Sequence, residues 1–169
     1  MKLVTAAEMQ RIEERCVESG ISEDNLMENA GVAVAEAIRD TPEMKPDIYG
    51  KRIVALIGSG NNGSDGLIAC RLLSIWGARV EVFICAPRKS SDPKRELAED
   101  SGVTIIDGLS QGGLKSLKSK LQTTDLVIDA VLGTGNSRPI EEPLSSLLLC
   151  AVESRVRVMA VALPTGLNS

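Results

Sequence analysis

The chain has 169 residues and no histidine. That removes the side chain most used as a general base near neutral pH, and with it the commonest zinc ligand. Aromatic residues are almost absent: Tyr49, Trp76 and Phe83 are the whole set, so a core has to be built from Leu, Ile, Val and Ala. No run reaches the roughly 18 apolar residues a membrane helix needs. The opening segment, Met1 to Glu8, lacks the apolar stretch of a signal peptide. There is no basic stripe either. The formal net charge is -4, which speaks against nucleic acid as a partner. Four cysteines, at positions 16, 70, 85 and 150, form no C-x-x-C pair. Each sits at an apolar position, as expected of reduced thiols in a cytoplasmic protein.

Hydrophobic residues make up 43% and charged residues 25% of the chain, the balance of one soluble domain with a real core. Two helices are expected first: residues 6–19, where Met9, Ile12 and Cys16 recur at helical spacing, and then a span from Asp24, as N-cap, to about Arg39. The second should turn Leu26, Ala30, Ala33, Val34, Ala37 and Ile38 inward. A connector with two prolines and a glycine covers 40–50. Beyond it the pattern changes. Short β-branched or aliphatic runs at 52–57, 79–84, 103–106, 126–131 and 156–163 alternate with helix-length segments at 64–76, 92–101, 110–121 and 141–153. Strand–helix alternation implies an α/β fold, a mostly parallel sheet covered on both faces in a Rossmann-like three-layer α/β/α sandwich.

In such sheets ligands bind beyond the carboxyl ends of the strands. Three strand ends carry unusual loops: Gly58 to Gly66, Asp129 to Arg138, and Leu163 to Ser169. All three should open on one edge. The first spells G-x-G-x-x-G through Gly58, Gly60 and Gly63. A dinucleotide fingerprint also requires an acid at the end of the next strand, about 20 residues on, to hold the ribose. Here that strand ends Cys85-Ala86-Pro87-Arg88, with no acid, although Arg88 is placed to face a 2′-phosphate. The glycines are also what a plain tight turn uses.

The following helix start favours phosphate through its free N–H groups and dipole. Asn61 and Asn62 add polar side chains, and Asp65 adds a carboxylate in the expected first turn or a charge that compensates the dipole. Asp129 closes the apolar run Leu126-Val127-Ile128. A buried carboxylate there needs a cation or a set of loop N–H donors. With Asn62 and loop carbonyls it would make an oxygen-only shell suited to a hard ion. Gly133-Thr134-Gly135 is either an anion nest or an ordinary turn.

Taken together, Gly58-Ser59-Gly60-Asn61-Asn62-Gly63-Ser64-Asp65-Gly66, Asp129-Ala130-Val131-Leu132-Gly133-Thr134-Gly135 and Leu163-Pro164-Thr165-Gly166-Leu167 resemble the YjeF N-terminal domain family. Its enzymes are NAD(P)H-hydrate (NAD(P)HX) epimerases. The leader Thr5-Ala6-Ala7-Glu8-Met9 and Leu26-Met27-Glu28-Asn29-Ala30-Gly31 also look like that family's two opening helices. The resemblance implies a homodimeric Rossmann-like domain that interconverts the R and S epimers of hydrated NADH or NADPH, a metabolite-repair step. A dehydratase, separate or fused as in bifunctional repair enzymes, then restores the nucleotide. It further implies that Asn61, Asn62, Gly63, Ser64 and Asp65 line the substrate. Gly133, Thr134, Gly135, Asn136, Ser137, Arg138 and Pro139 would cradle its phosphates, and Asn62, Asp129 and Thr165 would hold a potassium ion (K+).

Two departures from the family pattern stand out. Ala162 occupies the place of an Asp that contacts substrate, and a methyl group neither exchanges protons nor accepts hydrogen bonds. The chain also stops at Ser169, where family members continue, so a truncated single domain spanning 1–169 is expected. Ala162 brings in a second reading, a catalytically impaired nucleotide-binding or scaffold module, since related domains serve as scaffolds in RNA-decapping and lipoprotein-binding proteins. A third reading is an NADP-dependent oxidoreductase using G-x-G-x-x-G with Arg88.

Overall fold

A computed structural model describes residues 5–134 and 139–167. The order of elements is α1 (Ala6–Glu18), α2 (Glu23–Arg39), a 3-10 turn (Pro42–Met44), β1 (Arg52–Ile57), α3 (Asn61–Ile75), β2 (Arg79–Ile84), α4 (Pro93–Asp100), β3 (Thr104–Asp107), α5 (Gly113–Leu121), β4 (Leu126–Ala130), α6 (Leu144–Glu153) and β5 (Val158–Ala160). The strands form one sheet in the order β3-β2-β1-β4-β5, every pairing parallel. The expected Rossmann-like α/β class is therefore the observed one.

Period-two alternation divides the core into two layers. Ile53, Ala55, Ile57, Val80, Val82, Leu126, Ile128 and Ala130 face helices α2, α3 and α4, where Ala35, Ile38, Leu67, Ala69, Cys70, Leu73 and Ala98 meet them. Val54, Leu56, Phe83 and Val127 face α5 and α6, against Leu117, Leu121, Leu147 and Ala151. The buried core is aliphatic apart from Phe83, Met44, Cys70 and Cys85, as the shortage of aromatics requires. Of the cysteines, Cys70 and Cys85 are buried, Cys16 and Cys150 half-buried, and all are free thiols.

The structure corrects several expectations. The N-cap of α2 is Ser22, whose hydroxyl accepts from the Asn25 N–H at 3.2 Å, and not Asp24, which lies inside the helix. The buried face of α2 is Gly31, Ala35 and Ile38. Ala30, Ala33 and Ala37 are exposed, and Leu26 and Val34 only half-buried. Gly31 sets this phase: a Cβ there would overlap the Ile68 side chain, so α2 lies directly on α3. Helix α1 opens with a capping box between Thr5 and Glu8. Its expected apolar stripe lies mostly outside the core, with Met9 and Ile12 45% and 46% exposed. Strand β5 spans only Val158–Ala160 instead of 156–163, because its pairing to β4 ends where Asp129 meets Ala160.

Candidate functional site

The chain runs outward from β1 to β2 and β3, then returns to place β4 on the other side of β1. The crevice between the carboxyl ends of β1 and β4 is thus the topological switch point, where an open α/β sheet binds its ligand. The two strand ends stay in backbone contact there. The Gly58 N–H donates to Ala130 O at 3.1 Å, and a Cβ on Gly58 would overlap Val131 O. Gly63 is held as tightly, against Gly58 O. These two close approaches explain the glycines that begin and end the turn.

Helix α3 starts at Asn61, three residues before the expected 64. Asn61 and Asn62 therefore belong to its first turn, and Asp65 falls in the second. The N-cap, Gly60, has no side chain to occupy the first N–H groups, which leaves the positive end of the helix open toward the crevice. Asn61 is exposed at the rim, Asn62, Ser64 and Asp65 are half-buried and Gly63 is buried.

The three loops meet around Leu132. Asn62 Nδ2 donates to Leu132 O at 3.1 Å. The Leu132 N–H donates to Thr165 Oγ1 at 3.2 Å. Thr165 Oγ1 in turn donates to Asp129 Oδ1 at 2.7 Å, while the Thr165 N–H donates to Asp129 Oδ2 at 2.7 Å. The Val131 N–H completes the set on Asp129 Oδ1 at 3.2 Å. Asp129 is only 5% exposed, and these three donors satisfy it as the loop-donor alternative expects. Asn62, Asp129 and Thr165 are thus brought together by one chain of hydrogen bonds. Among the described residues, no group of three or more Cys, Asp or Glu side chains could hold a metal. The oxygen donors gathered here are instead one carboxylate, one hydroxyl and one amide.

Asp65 stands apart from that chain. Burial pushes its carboxyl up to about 7, and the charge of Glu13 on α1 adds to the shift. A carboxyl that ionises near neutrality can take up or release a proton, in a site that has no histidine.

Arg88 does not face outward to receive a 2′-phosphate. Its side chain is 7% exposed and turned inward. Nε donates to Asp92 Oδ2 at 2.5 Å, Nη2 donates to Ser64 Oγ at 3.1 Å, and Nη1 donates to Gly58 O. The oxidoreductase reading loses the residue it rested on. Sequence reasoning missed this cluster. The available signal was Asp92-Pro93, an N-cap acid before a proline at the start of α4.

Gly133 is half-buried, with the Asn62 side chain 3.3 Å from where its Cβ would be. Thr134 and Pro139 are exposed. Gly135, Asn136, Ser137 and Arg138, expected in the phosphate cradle, lie outside the described residues, as do Asn168 and Ser169 of the third loop. Ala162 is exposed in the bend after β5, next to Val161, whose N–H donates to Asp129 O at 2.9 Å.

A family model described as "YjeF-related protein N-terminus" matches residues 23–169. The chain belongs to the YjeF-related family. Within it, the chain is 35% identical over 149 residues to the NAD(P)H-hydrate epimerase of Ajellomyces capsulatus, covering 88% of this chain and 59% of that protein. It is 35% identical over 175 residues to the bifunctional NAD(P)H-hydrate repair enzyme Nnr of Archaeoglobus fulgidus, covering 99% of this chain and 33% of the relative. The NAD(P)H-hydrate epimerase of Leuconostoc mesenteroides is 34% identical over 171 residues, covering 99% of this chain and 72% of that one. The chain thus spans a third to somewhat over half of the length of the first two. Among solved structures, the yeast protein ynu0, YNL200c, superposes with a TM-score of 0.74 at 27% identity, over 98% of this chain and 72% of the yeast chain. Among the described residues, no helix is long and apolar enough to cross a membrane.

Proposed function

We propose that this chain acts on NAD(P)HX, interconverting the R and S epimers of hydrated NADH and NADPH. The observation that carries the reading is the hydrogen-bonded junction of all three loops at the switch point, running from Asn62 through Leu132 and Thr165 to Asp129. That junction is built from the three motifs that resemble the family's, and the named epimerases among the relatives supply the substrate.

In this reading Asn61, Asn62, Gly63, Ser64 and Asp65 line the substrate, with the open N-terminus of α3 favouring its negative charge. Gly133 through Pro139 take the phosphates. Asn62, Asp129 and Thr165 would hold K+. The residues suit it. Asp129 is a buried carboxylate whose partners are all neutral donors. Asn62 uses its Nδ2, so its carbonyl oxygen is left as a further hard donor. A bound K+ would neutralise Asp129 and rigidify the junction near the phosphates. The chain pairs as a homodimer, works in the cytoplasm, and hands its product to a dehydratase, fused or separate.

Ala162 supports a second reading, a nucleotide-binding module of the same fold with impaired turnover. A methyl group stands where the proton-exchanging acid is expected. Purified native chain and an Ala162→Asp variant, each given one pure NAD(P)HX epimer, separate the two. The epimerase reading predicts that the second epimer forms and that Asp raises the rate by about 100-fold or more. Binding without turnover in either protein favours the module. Neither binding nor turnover in both would sink the whole proposal.

A further inference from the structure

Arg88 joins three separate parts of the chain behind the β1–α3 turn. It stands in the segment after β2, against both ends of the loop from Gly58 to Ser64. Its three nitrogens end on three different parts of the chain: the carbonyl of Gly58 where β1 ends, the hydroxyl of Ser64 in α3, and the carboxylate of Asp92 that caps α4. Asp92 is itself buried, and its Oδ1 also accepts the Arg95 N–H at 3.3 Å. Gly63 packs so closely that a Cβ there would lie 2.8 Å from the Arg88 guanidinium. The guanidinium therefore ties together the two ends of the turn that carries Asn61 and Asn62.

We propose that Arg88 is a positioning residue for ligand binding: by tying Gly58 and Ser64 to Asp92, it holds the loop in the shape that presents Asn61, Asn62 and the α3 N-terminus to a dinucleotide. The inference rests on the dinucleotide reading above. Arginine is required because one planar fork spans three acceptors, which a lysine ammonium cannot do from one position. No proton moves through Arg88, and its effect falls on affinity.

The test compares native chain with Arg88→Met, Arg88→Lys and Arg71→Met. The last removes a partly buried ion pair, Arg71 to Glu28 at 2.7 Å, on the side of α3 that faces α2. Two quantities are read: the Kd for NADPHX by calorimetry, and amide hydrogen exchange across residues 58–66. Arg88→Met should weaken binding at least tenfold and speed exchange in 58–66. Arg88→Lys should recover part of both, and Arg71→Met should leave both near native. Native affinity in a folded Arg88→Met overturns the inference, as does equal loss in Arg88→Met and Arg71→Met. If Arg88→Met does not fold, Arg88→Lys decides: native affinity and native exchange there overturn it. If the native chain binds no NADPHX, it is the dinucleotide reading that fails. The loop-holding role then stands or falls on exchange alone, with unchanged protection of 58–66 in the Arg88 variants counting against it.

Discussion

Asp129 accepts from two backbone N–H groups and one hydroxyl while almost fully buried. Replacing it by Ala leaves those donors without an acceptor in a place water does not reach, a loss of roughly 2–3 kcal/mol, to be read from urea unfolding. The K+ proposal adds a sharper expectation. The native chain should melt at a higher temperature in potassium chloride than in choline chloride, and the difference should disappear in Asp129→Asn. Equal melting in both salts would argue against a bound cation. Asp65 gives a pH signature. Its carboxyl ionises at about 7 in the fold, against an ordinary value of 3.8. The folded state therefore holds a proton that the unfolded chain has already released. The stability this confers is complete below the ordinary value and is lost as pH rises to about 7. Asp65→Asn stays neutral throughout, so its stability should fall less than that of the native chain between about pH 4 and about pH 8. Parallel unfolding curves across that range would show that Asp65 is not shifted.

At the scale of elements, Gly31 and Gly63 bring backbone or side chain of another element into the space a Cβ would fill. Gly31→Ala pushes α2 off Ile68 on α3 and should cost roughly 1–3 kcal/mol, read from urea unfolding. Gly63→Ala strikes the Gly58 carbonyl, which is backbone and cannot move aside. It should therefore distort the binding loop and abolish ligand binding even where the fold survives, and calorimetry on the folded variant checks this. The strands β1, β2 and β4 were readable in the sequence because their apolar runs are short and bounded by glycine, proline or polar residues. The face of α2 was not. Its alanines at 30, 33, 35 and 37 satisfy several helical phases, and only contact with α3 selects the one through Gly31, Ala35 and Ile38. The pattern places the start of α3 at 64 because glycine and asparagine are poor helix formers; in the fold the end of β1 and the Arg88 contacts hold Asn61, Asn62 and Gly63 in the helix.

For the whole molecule, the convergence of the three loops was legible, since parallel strands carry their carboxyl ends to one edge. What brings the loops into contact was not. The junction runs through the backbone of Leu132, whose side chain says nothing about its N–H and carbonyl, and Arg88 reaches a partner 30 residues away in sequence. On the proposed reading this junction forms one wall of a dinucleotide site. Its most direct measurement is a calorimetric titration of NADPHX into the native chain and into Asn62→Ala, with circular dichroism showing both folded. Saturable one-to-one binding is expected of the native chain, with a loss of at least tenfold in affinity for Asn62→Ala. Native-strength binding by Asn62→Ala, or no binding by the native chain, would contradict it.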